Sequence, residues 1–258
     1  MQTKNILFIC GSANQTTQMM AIADELKDVE CYFTTYYADG LLRYAAERGL
    51  LDFTILGGEF QKKSLSLLHQ SRRLMDPRGE SRHYDLVVTC SDLIIPRNIR
   101  GSAIVLVQEG MTDPENRLYH IVKNFRLPRY LASTSMTGLS DAYTVFCVAS
   151  ENYKSLFINK GVKSEKIVVT GIPNYDNCLM YCNNSFPYRN FVLAATSDTR
   201  ETFRYENRKK FIRKVCNIAD GRQIIFKLHP NEKFQRAYRE IEKICPNAII
   251  YHDGNAHE

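Results

Sequence analysis

The chain has 258 residues, 44% of them hydrophobic and 24% charged, with 34 Lys and Arg against 28 Asp and Glu for a net charge of +6. This composition excludes a disordered or fibrous chain, and the length allows two domains or one domain plus part of a second. The positive balance favours anionic partners such as sugar nucleotides, phosphorylated lipids or an anionic membrane surface. Nucleic acid is not expected, because the basic residues are scattered and carry no recognised binding motif.

The first apolar run, residues 6–10, is too short for a signal-peptide core or a membrane span. The chain is therefore expected in the cytoplasm, with any membrane contact peripheral at the inner face. From there the pattern alternates. Residues 6–10 read as a strand, 17–26 as an amphipathic helix, 31–33 as a strand, 41–48 as a helix, 53–56 as a strand and 61–75 as a long basic helix. Strands at 86–89, 103–107 and 143–148, a helix at 151–158 and a strand at 166–170 complete the series. The near-continuous Ile, Val and Leu runs imply strands covered on both faces, and the alternation implies a doubly wound parallel sheet.

Gly171-Ile172-Pro173 breaks the pattern: the glycine permits a sharp turn after a strand and the proline sets the helix expected at 175–181. The polar stretch 183–189 reads as a linker between an N-terminal domain, 1–182, and a C-terminal one, 190–258. The second series has a strand at 191–195, a helix at 200–218, a strand at 223–227, a helix at 232–244 and a strand at 248–251. Three strands and two helices make an incomplete doubly wound domain. The densest basic cluster, Arg208 to Lys210 with Arg213 and Lys214, is one face of the first of those helices.

Of the eight cysteines, Cys10, Cys90, Cys147, Cys216 and Cys245 lie in or beside apolar runs and are expected as buried thiols. Cys178 and Cys182 are four apart and would form a metal half-site, but no partnering pair with zinc-like spacing exists, so no metal is expected. The aromatic run from Tyr32 to Tyr37 carries no Lys or Arg and reads as core or rim packing.

Three loops fall at strand ends that face the ligand crevice of such a fold. Lys227-Leu228-His229-Pro230 follows a buried strand and precedes a helix expected near Asn231, with Pro230 at its first position, so His229 and Lys227 are placed for an anion. The bland alternative is a strand-capping histidine beside a solvated lysine. Ser197 and Arg200 occupy the equivalent place after the first strand of that domain, with Arg200 suited to a diphosphate; a solvated helix turn is the alternative. In the first loop, Ser12 and Asn14 are candidates to hydrogen-bond an acceptor, or simply to cap a helix. No dinucleotide fingerprint or Walker loop is present.

Taken together, the segment from Val168 to Asp176 and the His229-Pro230 pair resemble the two-Rossmann-domain GT-B glycosyltransferases. Within them the resemblance is to capsule and teichoic-acid glycerophosphotransferases and bacterial polysialyltransferases with a His-Pro motif. The resemblance implies an α/β chain of two Rossmann-like doubly wound domains, the second incomplete. It also implies that His229 contacts the donor phosphate. A second point of similarity, Gln108-Glu109-Gly110 at a strand end, implies Glu109 as general base for an acceptor hydroxyl. The chain departs from the pattern in having Gln at the first of these positions and in lacking the serine-rich, Glu-containing donor segment.

The expected function is transfer from a nucleotide-activated sugar, or a polyol phosphate carried on CDP, to a glycan or lipid-linked hydroxyl in bacterial surface polysaccharide synthesis. No cofactor or metal is needed where fixed positive groups offset the diphosphate charge. Two alternatives stand beside it. The same fold serves the non-hydrolysing UDP-N-acetylglucosamine 2-epimerases, and the run from Thr170 to Asp176 suits them nearly as well. A non-catalytic remnant that binds glycan or a partner is the other.

Overall fold

The computed structural model describes residues 3–176, 178–182, 184–201 and 205–253. The chain divides into two compact units, Met1–Asp176 and Asn177–Glu258. On this division the expected linker, 183–189, belongs to the second unit, and Asn183 lies outside the described residues.

Seven strands build the first unit: β1 (Lys4–Cys10), β2 (Val29–Thr35), β3 (Leu74–Met75), β4 (Leu86–Thr89), β5 (Ala103–Val107), β6 (Val145–Val148) and β7 (Ile167–Val169). They form one parallel sheet in the order β3-β2-β1-β4-β5-β6-β7. The helices of this unit are α1 (Ala13–Asp24), α2 (Gly40–Glu47), α3 (Gly58–Gln70), α4 (Arg117–Asn124) and α5 (Glu151–Lys160). Because side chains alternate along a strand, each strand feeds two cores. Leu7, Ile9, Val87, Ile104, Leu106 and Phe146 enter one, while Ile6, Phe8, Cys10, Phe33, Val88 and Val107 enter the other with Met19 of α1 and Leu68 of α3. The strand order reverses between β1 and β4, which places the crevice at the loops after those strands and their neighbours.

Several expected elements are corrected. Residues 53–56 form no strand: the Thr54 hydroxyl donates to the Leu51 carbonyl at 2.8 Å and accepts from the Leu56 amide at 3.2 Å. Side-chain to backbone bonding of this kind holds a turn against an extended ladder. The edge position beside β2 is taken instead by Leu74–Met75, which the sequence pattern assigned to the end of a helix. That helix stops at Gln70, and Arg72 adopts φ 51° beyond it. The helix expected at 175–181 is two short 3-10 turns, Pro173–Tyr175 and Cys178–Tyr181.

The second unit holds three strands, β8 (Val192–Ala195), β9 (Ile224–Lys227) and β10 (Ile249–Tyr251), in a parallel sheet of order β10-β9-β8. Helices α6 (Arg208–Ala219) and α7 (Phe234–Ile244) both pack on one face, where Ile212, Val215, Ala237 and Ile241 surround Ala194 and Phe226. Near the start of this unit Phe186 packs against Phe191 and Tyr251, with ring centroids 5.5 and 6.0 Å away. Helix α6 begins later than the pattern suggested, at Arg208, after the N-cap Asn207, whose side chain accepts from the Lys210 amide at 3.0 Å.

All eight cysteines are free thiols, with Cys10 and Cys90 buried, Cys147, Cys216 and Cys245 half-buried, and Cys182 exposed. Burial pushes the Cys10 thiol up to about 12, against a smaller lowering by its hydrogen bond with Thr16. No described helix is long and apolar enough to cross a membrane.

Candidate functional site

In the first unit a carboxylate sits where the loops after β1 and β5 meet. Glu109 is half-buried and accepts three side-chain hydrogen bonds: from Ser12 Oγ at 2.8 Å, Asn14 Nδ2 at 3.3 Å and Gln15 Nε2 at 2.6 Å. Its backbone carbonyl accepts a fourth bond, from Gln18 Nε2 at 2.8 Å. A carboxylate offers about four lone-pair sites, so about one remains for a reacting group.

These donors are supplied by the start of α1. Ser12 is its N-cap, in extended conformation, and its hydroxyl oxygen also accepts from the Gln15 amide at 3.2 Å. Gln108, which stands where the resemblance has an acid, is buried: it donates to the Gly110 carbonyl at 2.7 Å and accepts from the Ala149 amide at 2.9 Å. Gln108 therefore fixes the turn that aims Glu109.

Beyond β7, Gly171 adopts φ 86°, which lets the chain turn so that Pro173 starts a 3-10 turn. That turn delivers Asn174, whose amide donates to Asn14 Oδ1 at 2.6 Å and to the Asn14 carbonyl at 3.1 Å. Ser12 and Asn14, the candidates for an acceptor, thus hold Glu109, while Gly171 and Pro173 act through Asn174.

Gln15, Gln18 and Asn174 were not singled out from the sequence. Reading α1 from residue 17 hid the first two; an N-cap at Ser12 puts Gln15 and Gln18 one turn apart on the face that meets Glu109.

In the second unit the His229-Pro230 segment is a β-turn, closed by the Glu232 amide donating to the His229 carbonyl at 2.9 Å. Pro230 therefore occupies the second position of that turn, where its fixed φ is suited, and α7 starts four residues later at Phe234. Glu232 organises the turn. Its side chain is fully buried, and it accepts from the Thr196 hydroxyl, from the His229 amide at 3.1 Å and from Arg208 Nη2 at 2.6 Å.

His229 itself is 37% exposed at its side chain. Its Nδ1 accepts from the Asn231 amide at 3.2 Å, so the ring proton of the neutral imidazole resides on Nε2. Asp198 Oδ2 lies 3.7 Å from Nδ1 and accepts from Asn231 Nδ2 at 3.0 Å.

The remaining candidates are engaged elsewhere. Lys227 is buried and donates to the carbonyls of His252, at 2.8 Å, and Leu228, at 3.3 Å. Arg200 forms a two-point pair with Glu240, at 2.9 and 2.8 Å. Ser197 is exposed; its hydroxyl pairs with Thr199 at 2.7 Å, and its carbonyl accepts from Arg208 Nη2 at 3.0 Å. Of the four, His229 has the most exposed ring donor, whereas the spare donors of Arg200, Nε and Nη2, are buried. Among the described residues no group of three or more His, Cys, Asp or Glu side chains is gathered as metal ligands.

No protein-family model and no curated protein sequence matches the chain. Solved structures do. S. aureus MnaA in complex with UDP superposes with a TM-score of 0.52 at 14% identity, over 99% of this chain and 70% of that one. A Listeria monocytogenes protein, provisionally described as a UDP-N-acetylglucosamine 2-epimerase, gives 0.50 at 13% identity, over 100% and 71%. The fold is GT-B-like. Its two units are the Rossmann-like domains of that fold, the second represented by three strands among the described residues.

Proposed function

We propose that the chain binds a uridine diphosphate sugar through the His229 turn and acts on it as an epimerase-like isomerase. The observation that carries this reading is the fixed tautomer of His229: its Nδ1 is tied to the Asn231 amide, so the Nε2–H of this partly exposed side chain is left for a phosphate oxygen. The choice of UDP follows the printed ligand of the S. aureus neighbour, whose fold this chain shares.

Cleaving the bond between the anomeric carbon and the diphosphate leaves charge on the departing oxygen, which a preorganised donor stabilises. In epimerisation at C2 the electron pair for the new C1–C2 double bond comes from loss of the C2 proton. A carboxylate is the group type that accepts it, and Glu109 is proposed for that role. UDP then adds back and C2 regains a proton on the opposite face.

Transfer to an acceptor hydroxyl is the second reading, favoured by the position of Glu109 at the end of β5, where it would take the acceptor's proton instead.

Calorimetric titration with UDP, CDP and CMP tests the binding step. UDP should bind, and His229→Ala should weaken it by about 1–3 kcal/mol, the size of a hydrogen bond to a charged group. UDP-N-acetylglucosamine incubated in D2O without acceptor separates the two chemistries, since only epimerisation inverts C2 and places deuterium there. Failure of the folded chain to bind any of the three nucleotides overturns both readings.

A further inference from the structure

Residues 116–131 contain Arg117, Lys123, Arg126 and Arg129 and no Asp or Glu. This stretch comprises α4 and the turn that follows it. Helix α4 is anchored inward by Tyr119 and Val122, which are buried with Ala132 and Met136 in a small separate core. Its apolar arc is wider than that core uses. Leu118, Ile121 and Phe125 recur at i, i+3 and i+7 and so form one stripe, and they are 46%, 46% and 74% exposed. Leu127, Tyr130 and Leu131 extend the exposed apolar surface into the next turn.

Among the described residues none of the four cations is in an ion pair. Lys123 donates to the Tyr119 hydroxyl at 3.1 Å and the Lys160 carbonyl at 2.9 Å, and Arg129 to the Asp92 carbonyl at 3.2 Å, all neutral acceptors. Burial also lowers the affinity of neighbouring Lys160 for its proton.

Scattered exposed apolar residues are ordinary, but a contiguous stripe ringed by one sign of charge marks an interaction surface. Leu, Ile and aromatic rings edged by Arg and Lys match the boundary between acyl chains and anionic headgroups. A protein interface core, by contrast, is depleted in Lys.

We propose that the α4 segment docks the chain on an anionic lipid bilayer. Leu118, Ile121 and Phe125 enter the headgroup boundary, and Arg117 and Arg126 pair with lipid phosphates. The contact needs no nucleotide, so its failure would leave the reading of His229 untouched.

Sedimentation of the full chain with phosphatidylglycerol–phosphatidylcholine vesicles, and with phosphatidylcholine alone, tests this. Binding should require the anionic lipid and fall with salt. Each cation near such a surface contributes about fivefold, so Arg117→Ser with Arg126→Ser should weaken binding roughly 25-fold. Phe125→Gln should weaken it without altering the charge. The control pair Lys209→Ser and Arg213→Ser, exposed cations on α6 of the second unit, should change it little; far-UV circular dichroism verifies that each variant is folded. The proposal is overturned by no binding to anionic vesicles, by equal binding to phosphatidylcholine, or by equal loss in the α6 control. It is also overturned if ultracentrifugation shows a dimer that Phe125→Gln dissociates, since a second copy would then cover the stripe.

Discussion

Glu232→Gln exchanges one carboxylate oxygen for an amide nitrogen and should damage both stability and ligand binding in the second unit. Wild-type Glu232 is the shared acceptor for the Thr196 hydroxyl, the His229 amide and the Arg208 guanidinium. The Arg208 side chain is 2% exposed, and its Nε and Nη1 already lack hydrogen-bond partners. Removing one member of a buried pair costs about 3–5 kcal/mol, because the surviving charge stays desolvated. Glu206, with its carboxylate 3.0 Å from Arg208 Nε, retains part of the compensation, so the lower end applies. A loss of about 3 kcal/mol in a unit of this size corresponds to a fall in melting temperature of roughly 12 °C or more.

The new amide nitrogen would in addition face either the guanidinium or the His229 N–H, both donors, which loosens the turn that presents His229. Differential scanning calorimetry, with hydrogen exchange to localise the change, measures the stability; titration with UDP measures the site. A melt within about 1 °C of wild type, together with unchanged exchange at the His229 amide, would refute the assignment of Glu232 as the organiser of the turn.

Acid stability reports on Asp76 in the first unit. Burial alone would push its carboxyl up, but hydrogen bonds from Tyr84 and Ser81 outweigh that and hold it below its usual value. The stabilisation is therefore complete above the unfolded carboxylate range near pH 4 and is lost as pH falls through the folded value. Asp76→Asn should lower stability at pH 7 and flatten the loss between about pH 4 and pH 2; an unchanged acid slope in urea melts would contradict this. Gly58→Ala should destabilise by about 2 kcal/mol or more, because Gly58 holds φ +56° and a Cβ there would lie 2.1 Å from the Asp52 carbonyl oxygen; a chemical denaturation midpoint equal to wild type would be inconsistent with that conformation. In the native protein a thiol reagent should modify Cys182 first and leave Cys10 and Cys90 untouched until unfolding, since burial keeps both thiols protonated.

Fold class was legible in the residue pattern alone. Strands buried on two faces need unbroken apolar runs, and β1, β4 and β5 could be read within a residue or two on that ground; β8 and β9 could be read as closely from their apolar runs, although Leu193 of β8 stays exposed. The pattern failed where a short apolar run was ambiguous. Residues 53–56 carry strand-forming side chains, but Thr54 bonds to its own loop, and the edge slot went to Leu74–Met75, whose partner β2 is about forty residues earlier. Ser12, Asn14 and His229 could be singled out because strand ends in a doubly wound fold are where ligands gather, and Glu109 because of the resemblance to GT-B enzymes; their ligand roles stand as proposals.

How these residues relate to one another came only from packing. The seating of α1 on the loop after β5 made Ser12, Asn14 and Gln15 into donors for one carboxylate; the Glu232 network turned Pro230 into a turn residue, and the Asn231 amide fixed the His229 tautomer. Lys227 and Arg200 show the converse. Their type and position suit a phosphate, yet backbone carbonyls hold the Lys227 ammonium and Glu240 holds Nη1 of Arg200, because a hydrogen bond is a choice among neighbours that local sequence does not contain.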